Sequence, residues 1–369
     1  MWSHENIRRL LIDFSLKSSN QSFNGHHLMY QQKNADLKND IGLDSIELMQ
    51  LAAYANNFFN LFSIENPPYL LSHTNLSDWV DLIFEARKKE NHSLKFHTSG
   101  TSGNSKIVEH SIPFLKRELL LLANLFKNSS QIITYIPSYS IYGFLFTIGL
   151  PAYLQIPLVY PSQINWLDLA PGTLMVATPF QWELLVNSLP ENMLTIQGVT
   201  AASPMHQELF HQIRSKKIHL TEIYGATETA GVGFRNEWQL PFQLFPYWQL
   251  KEQKGIMELV DKDNQQIYPL MDNIIQYTDQ TFSIVGRKDQ QIKIAGHLVN
   301  LEKIKKSIQT LSNIRDCTIS AKADTNETII QAALQLKTDN EAERISIKQA
   351  IRNLLPAHER PRLIYFSLE

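Results

Sequence analysis

Positions 98–106 read Thr-Ser-Gly-Thr-Ser-Gly-Asn-Ser-Lys, and residue types of this kind can hold a phosphate. Gly100 and Gly103 let the backbone come close to a ligand. Successive free N–H groups in such a turn form a concavity for phosphate oxygens, helped by the hydroxyls of Thr98, Ser99, Thr101 and Ser102. Lys106 adds a mobile positive charge. A Ser/Gly linker is the plainer alternative, but Leu94 and Phe96 lead in and a β-prone segment leads out. The spacing before Lys106 does not fit a Walker A loop, and no glycine precedes the lysine. A second candidate is Tyr224-Gly225-Ala226-Thr227-Glu228-Thr229. Tyr224 can pack on a base, Thr227 can bond a phosphate, and Glu228 can hold Mg²⁺ on phosphate oxygens. The same residues also suit a capped strand-to-helix turn. A third is Asp44-Ser45, readable as a capping box with Glu47 or as an exposed serine at a helix tip suited to an attached phosphodiester.

The elements that must carry these residues follow from periodicity. Ile7, Leu10, Leu11, Phe14 and Leu16 recur at helical spacing, a second amphipathic helix runs from Asp44 to about Phe59, and a third from Leu76 to Ala86. From Ser129 the pattern alternates. Strands are expected at 131–136, 156–160, 174–177, 195–200 and 217–223, and helices at 144–154, 180–187 and 206–215. Such alternation predicts a mostly parallel sheet covered on both faces, with ligands beyond the carboxyl ends of its strands.

Taken together, the Gly-rich loop and the Tyr-Gly-x-Thr-Glu stretch resemble those of the adenylate-forming superfamily of acyl-CoA synthetases, nonribosomal adenylation domains and luciferase. The resemblance continues through Asp272 and through Ile284-Val285-Gly286-Arg287-Lys288-Asp289, ending in Gln290-Gln291-Ile292-Lys293-Ile294-Ala295-Gly296. It implies that Asp272 holds the ribose, Arg287 the ribose or a phosphate, and the Ala202 segment the adenine. It also implies that Asp289 is a hinge, and that Lys293 and Gly296 belong to the segment that serves thioester formation; a solvent-facing strand residue is the plainer reading of Lys293. Tyr139, Ser140, Tyr142, Gly143 and Phe144 would line the acid pocket. The first helices are similar to an acyl carrier domain, which implies 4′-phosphopantetheine on Ser45, placed there by a phosphopantetheinyl transferase.

The expected organisation is multidomain: an all-α carrier-like bundle (1–90), an α/β AMP-binding domain (91–287) that is shortened, and a small α+β domain (288–369). The expected reaction is activation of an aryl or fatty acid by ATP and Mg²⁺ as acyl-AMP, then transfer to the pantetheine thiol of a carrier protein or CoA. Lys106, Glu228 and Lys293 would be its catalytic residues. A carrier or scaffold that binds nucleotide without adenylation is the alternative. A net charge of −2 without a basic stripe argues against a nucleic-acid binder. The single Cys317 rules out an intrachain disulfide, and no run suggests a signal peptide or a membrane span, so a cytoplasmic location is expected.

Two departures from the family pattern matter. Ser140 stands where a histidine is usual, and no lysine follows Lys348, although the family carries a late lysine that stabilises the adenylation transition state. Loss of one such donor typically costs about 10²–10³ in rate. Presynthesised acyl-AMP is therefore expected to give thioester much faster than free acid with ATP. Rapid-quench assays on both substrates check this, and equal rates would mean that another cation already meets the need.

Overall fold

The computed structural model describes residues 2–19, 34–98, 106–166, 169–190, 194–253, 256–287, 291–294, 297–324, 327–338 and 340–367. Residues 163, 287, 291–294, 297, 298, 323, 324, 327 and 328 are described by backbone alone. The described residues fall into two compact units. The first takes those within Met1–Thr98, Lys106–Ala202 and His206–Trp238, the second those within Ser203–Met205 and Gln239–Glu369.

The first unit begins with three helices, α1 (His4–Ser18), α2 (Ser45–Phe58) and α3 (Leu76–Lys89). A hairpin of β1 (Ser93–His97) and β2 (Ile107–Ser111) follows, then α4 (Ile112–Leu125). After it come β3 (Gln131–Thr134), a helix α5 over 141–154, β4 (Leu158–Val159), β5 (Thr173–Val176) and α6 (Pro179–Val186). The unit closes with β6 (Ile196–Thr200), α7 (Gln207–Ser215), β7 (Ile218–Ala226) and β8 (Ala230–Arg235). Its sheet runs β8-β7-β6-β5-β3-β4; β4, β3, β5, β6 and β7 are parallel and β8 is antiparallel to β7. All four residues of β5 are buried, as a strand covered on both faces requires. The expected α/β alternation is present, with strands shorter than anticipated at 131–136 and 156–160.

The first helices do not form a bundle of their own. α1 buries Ile7, Leu10, Leu11, Ile12, Phe14 and Leu16 together with the charged Arg9 and Asp13. Arg9 Nε donates to the Tyr160 hydroxyl at 2.7 Å, and its terminal nitrogen donates to the Thr147 carbonyl at 3.0 Å. That carbonyl is free because Pro151, one turn on in α5, has no N–H to offer it. Asp13 accepts from the Ser138 amide at 2.6 Å and from the Ser138 hydroxyl. α2 presents Phe58, which meets Phe96 at 5.2 Å and Phe144 at 6.0 Å. The expected boundary at residue 90 is thus crossed by buried polar bonds and a shared aromatic core, and the division by compactness falls after Trp238, well before 287.

In the second unit, β9 (Phe242–Leu244) pairs with β14 (Thr281–Arg287), which pairs with β13 (Asp272–Thr278). β10 (Trp248–Gln253), β11 (Ile256–Asp261) and β12 (Ile267–Pro269) form a meander, and β15 (Gln291–Ile294) and β16 (His297–Asn300) a hairpin. At the end, β17 (Ile314–Asp324), β18 (Glu327–Leu336) and β19 (Leu363–Ser367) share a sheet. Helices α8 (Leu301–Gln309) and α9 (Glu341–Leu354) pack on it through Ile304, Ile308, Ile347 and Ile351. This is the α+β composition expected of the last stretch. Among the described residues no helix is long and apolar enough to cross a membrane.

Asp13→Ala should lower stability by about 1–3 kcal/mol, because it strands the buried Ser138 donors. Hydrogen exchange is the informative readout. Protection should fall in β3 and β5 together with α1, whereas a loss confined to α1–α3 would restore an independent first domain.

Candidate active site

The two strands that flank the Gly-rich stretch close it like a clasp. The Thr98 amide donates to the Lys106 carbonyl at 2.8 Å, and the Lys106 amide to Thr98 Oγ1 at 3.0 Å. Ser99, Gly100, Thr101, Ser102 and Gly103 lie outside the described residues. Lys106 is exposed at the mouth.

β7 runs on through Ala226 and returns as β8, so the turn joins two strands and the alternative of a capped strand-to-helix turn does not hold. The register shifts between Tyr224 and Gly225. A Cβ on Gly225 would lie 2.1 Å from the Ala230 carbonyl oxygen, so only glycine fits there. Thr229 fixes the turn, its Oγ1 accepting from the Ala226 amide at 3.2 Å and donating to the Ala230 carbonyl at 3.1 Å. Tyr224, Thr227 and Glu228 are left half-exposed along this turn.

Two residues that the sequence did not single out hold the turn from below. His110, on β2, is buried, and its Nε2 donates to the Thr227 carbonyl at 2.6 Å. Its ring stacks on Phe114 at 4.8 Å. Burial pushes its pKa below the usual histidine value, against an upward pull from Thr227 and from the Glu228 charge. Glu118, buried on α4, accepts the Gly231 amide with both carboxylate oxygens at 3.0 Å. The available signal for Glu118 was an acid on the apolar face of a helix, in line with Leu115 and Leu122.

At the carboxyl end of β6, beside β7, Ala202 is exposed with φ +76°. An L-residue held there costs about 1–2 kcal/mol, and the turn it makes sits at the ligand-binding edge of the sheet. In the second unit, Asp272 on β13 and Arg287 on β14 are direct cross-strand partners, so the two residues assigned to ribose and phosphate share one register position. The backbone of Lys293 lies in β15; Asp289 and Gly296 lie outside the described residues.

The residues read as an acid pocket separate. Ser140 caps α5, its hydroxyl accepting the Gly143 amide at 2.9 Å. Gly143 lies so close to the Pro137 carbonyl that a Cβ would come within 1.8 Å of its oxygen. Tyr142 is turned into the core, where its hydroxyl donates to the Val199 carbonyl at 3.1 Å, and Phe144 is fully buried. Tyr139 is half-buried, and its hydroxyl is pushed up to about 12 by burial, with Asp13 and Tyr54 adding to it. It is therefore the one described member of that set whose ring reaches a half-buried surface rather than the core.

Residues 65–253 match the model of the AMP-binding enzyme family. Curated relatives include the 4-coumarate–CoA ligase of Rhodobacter capsulatus, 27% identical over 82% of this chain and 81% of that protein. A second, from Halorhodospira halophila, is 24% identical over 87% of this chain and 83% of that protein. Among solved structures, o-succinylbenzoate CoA synthetase from Bacillus subtilis superposes with a TM-score of 0.57 at 14% identity, over 75% of this chain and 66% of that one. A malonyl-CoA ligase bound to methylmalonyl-CoA and AMP gives a TM-score of 0.55 at 16% identity, over 74% of this chain and 70% of that one. These two similarities concern the fold alone. The chain spans just under two thirds of the first solved relative.

His110 gives the turn a pH dependence of definite sign. As pH falls through about 6.5, the unfolded chain takes up a proton that the folded histidine resists. Stability present above that pH is therefore lost below it, toward the depressed folded pKa. His110→Gln keeps a donor for the Thr227 carbonyl and removes the titration. Urea midpoints at pH 8 and pH 5.5 should differ less in this variant than in the parent; an unchanged difference would assign the effect elsewhere.

Proposed function

The chain belongs to the AMP-binding enzyme family, and from that premise we propose that it is an AMP-forming acid–thiol ligase acting on an aryl carboxylic acid. A carboxylate oxygen attacks the α-phosphorus of ATP, the bond to pyrophosphate breaks, and acyl-AMP results. A thiolate then attacks the acyl carbon and AMP leaves. The observation that carries this reading is the bond from His110 to the Thr227 carbonyl, which ties the strand leaving the 98–106 loop to the turn bearing Thr227 and Glu228. Residues that would bind phosphate and metal, distant in the sequence, would thereby share one scaffold. Chemistry of this type needs positioning and charge stabilisation above all.

Residues 98–106 would take the β- and γ-phosphates, with Lys106 supplying charge. Tyr224 and the Ala202 turn would flank the adenine, while Asp272 and Arg287 would hold the ribose side. Among the described residues Glu228 forms no ion pair, and no trio of His, Cys, Asp or Glu gathers to make a closed metal site. Magnesium bound through one carboxylate and substrate phosphates suits that donor set, and when bound it would offset phosphate charge. Lys293 and Gly296 would serve the thiol step after rotation about Asp289. The aryl preference rests on the 4-coumarate–CoA ligases among the relatives.

CoA or a separate carrier protein is the acceptor this reading favours. Ser45 is exposed on the first turn of α2, capped by Asp44 and Glu47, where a transferase could reach it. However, α2 buries Leu48, Leu51, Ala52, Ala55 and Phe58, and Phe58 meets Phe96 and Phe144 beyond the first helices, so a pantetheine on Ser45 would not swing as part of a free domain.

Pyrophosphate exchange with a panel of aryl and fatty acids tests the proposal. Aryl acids should support exchange, Lys106→Ala and Glu228→Ala should each reduce it by about 10²-fold or more, and both variants should bind ATP–Mg²⁺ more weakly by calorimetry. Tight ATP binding without exchange on any acid would leave a nucleotide-binding scaffold.

A further inference from the structure

The last turn of α1 carries a cation inside an aromatic box. The Phe14 ring stacks between Tyr54 at 5.8 Å and Tyr139 at 5.9 Å. The Lys17 ammonium lies 4.4 Å from the Tyr54 ring and 4.8 Å from the Tyr139 ring. His97, the last residue of β1 before the phosphate loop, meets Tyr54 edge-on at 6.0 Å. All five residues except the buried Phe14 are half-exposed, so the box opens to a surface.

Among the described residues no carboxylate pairs with the cation of this box. Asp13, one turn earlier and well spaced for a pair, is instead committed to Ser138. A long lysine can ordinarily extend its head into water; here the head is held between two rings. Burial lowers the pKa of both Lys17 and His97, and the nearby charge of Lys17 adds to the shift at His97. A partly desolvated ammonium without a counter-charge is costly, and an anionic or hydrogen-bonding ligand would relieve that cost.

Position in the sheet says which end of which ligand arrives there. Tyr139 follows the carboxyl end of β3, whereas Tyr224, Thr227 and Glu228 are at the end of β7, three strands away in the order β7-β6-β5-β3. Three strand spacings amount to about 14 Å. Lys17 therefore lies too far from that turn to serve the same phosphate group as Glu228. An extended aryl acid whose carboxylate is activated beside that turn would carry the far edge of its ring toward β3. Flat rings on either side of the cation suit an aromatic ligand better than a phosphate.

We propose that Lys17, with Tyr54 and Tyr139, forms the specificity end of the acid site and receives the hydroxyl or phenolate on the far edge of a ring-hydroxylated aryl acid. This rests on the ligase reading above and adds to it which residues choose the acid. Tyr54 and Tyr139 would face the substrate ring; Phe14 and His97 are positioning residues that hold those two.

Two measurements on the full chain test it. The first is the ratio of kcat/KM for 4-hydroxycinnamate to that for cinnamate, followed as thioester formation. The parent should favour the hydroxylated acid, Lys17→Met should lower the ratio by about tenfold or more, and Lys17→Arg should recover part of it. A ratio unchanged in Lys17→Met overturns the proposal while leaving the ligase reading intact. The second needs no turnover. Amine-selective labelling of Lys17, read by peptide mass spectrometry, should be slowed by 4-hydroxycinnamate and much less by cinnamate or by ATP–Mg²⁺. If neither acid activates, the aryl-ligase reading fails; protection by 4-hydroxycinnamate would still support the site. Protection by ATP–Mg²⁺ alone, or by none of the three, overturns it.

Discussion

A single hydrogen bond, from the buried His110 ring to the Thr227 carbonyl, sets what the rest of the first unit must provide. It fixes the height of the β7–β8 turn relative to the strand that leaves the 98–106 loop. Because the acceptor is a backbone carbonyl, the side chains of Thr227 and Glu228 stay available to a ligand. The bond lasts only while the histidine is a donor in a dry place, and Phe96 and Phe114 keep it dry. Glu118 repeats the device on the other side of the turn, at the Gly231 amide. The β7–β8 turn is thus rigid because buried polar groups beneath it are satisfied, a demand that is strict in a low-dielectric interior.

The same economy explains the beginning of the chain. Arg9 and Asp13 are charges on a helix that also carries six buried apolar side chains. Each is matched to a partner far along the sequence, and one of those partners, the Thr147 carbonyl, exists only because Pro151 cannot supply the usual helical donor. α1 therefore acts as an internal strut of the α/β unit. Lys17, on the same helix, forms no ion pair among the described residues, which is consistent with a role toward a ligand rather than toward the fold.

Much of this was legible in the sequence. The alternation from residue 129, the capping box at Asp44 and the β-prone segment after Lys106 each follow from local pattern, and each is found. The features that escaped are those set by tertiary partners. Arg9 and Asp13 look like a solvated helix face until Tyr160 and Ser138 are known. Tyr142 looks like a pocket residue until its hydroxyl is seen on Val199. The length of β7 was underestimated because Gly225 reads as a turn former, whereas it serves a bulge within the strand. The apparent carrier domain arose in the same way: Asp44-Ser45 marks a helix start correctly, and nothing local tells where that helix packs.

The reach of α1 also has a consequence for synthesis on the ribosome. Its buried polar bonds span 125, 138 and 151 positions of sequence. At about 5–20 residues per second, the partner residues emerge roughly 6–30 s after the helix itself. Throughout that interval α1 can settle on α2 and α3, but Arg9 and Asp13 still lack their distant partners. The final seating of α1 therefore waits on residues 138–160, with two charged side chains unmatched until they arrive. The cost of building the amino terminus into the centre of the fold falls on its assembly rather than on its finished stability.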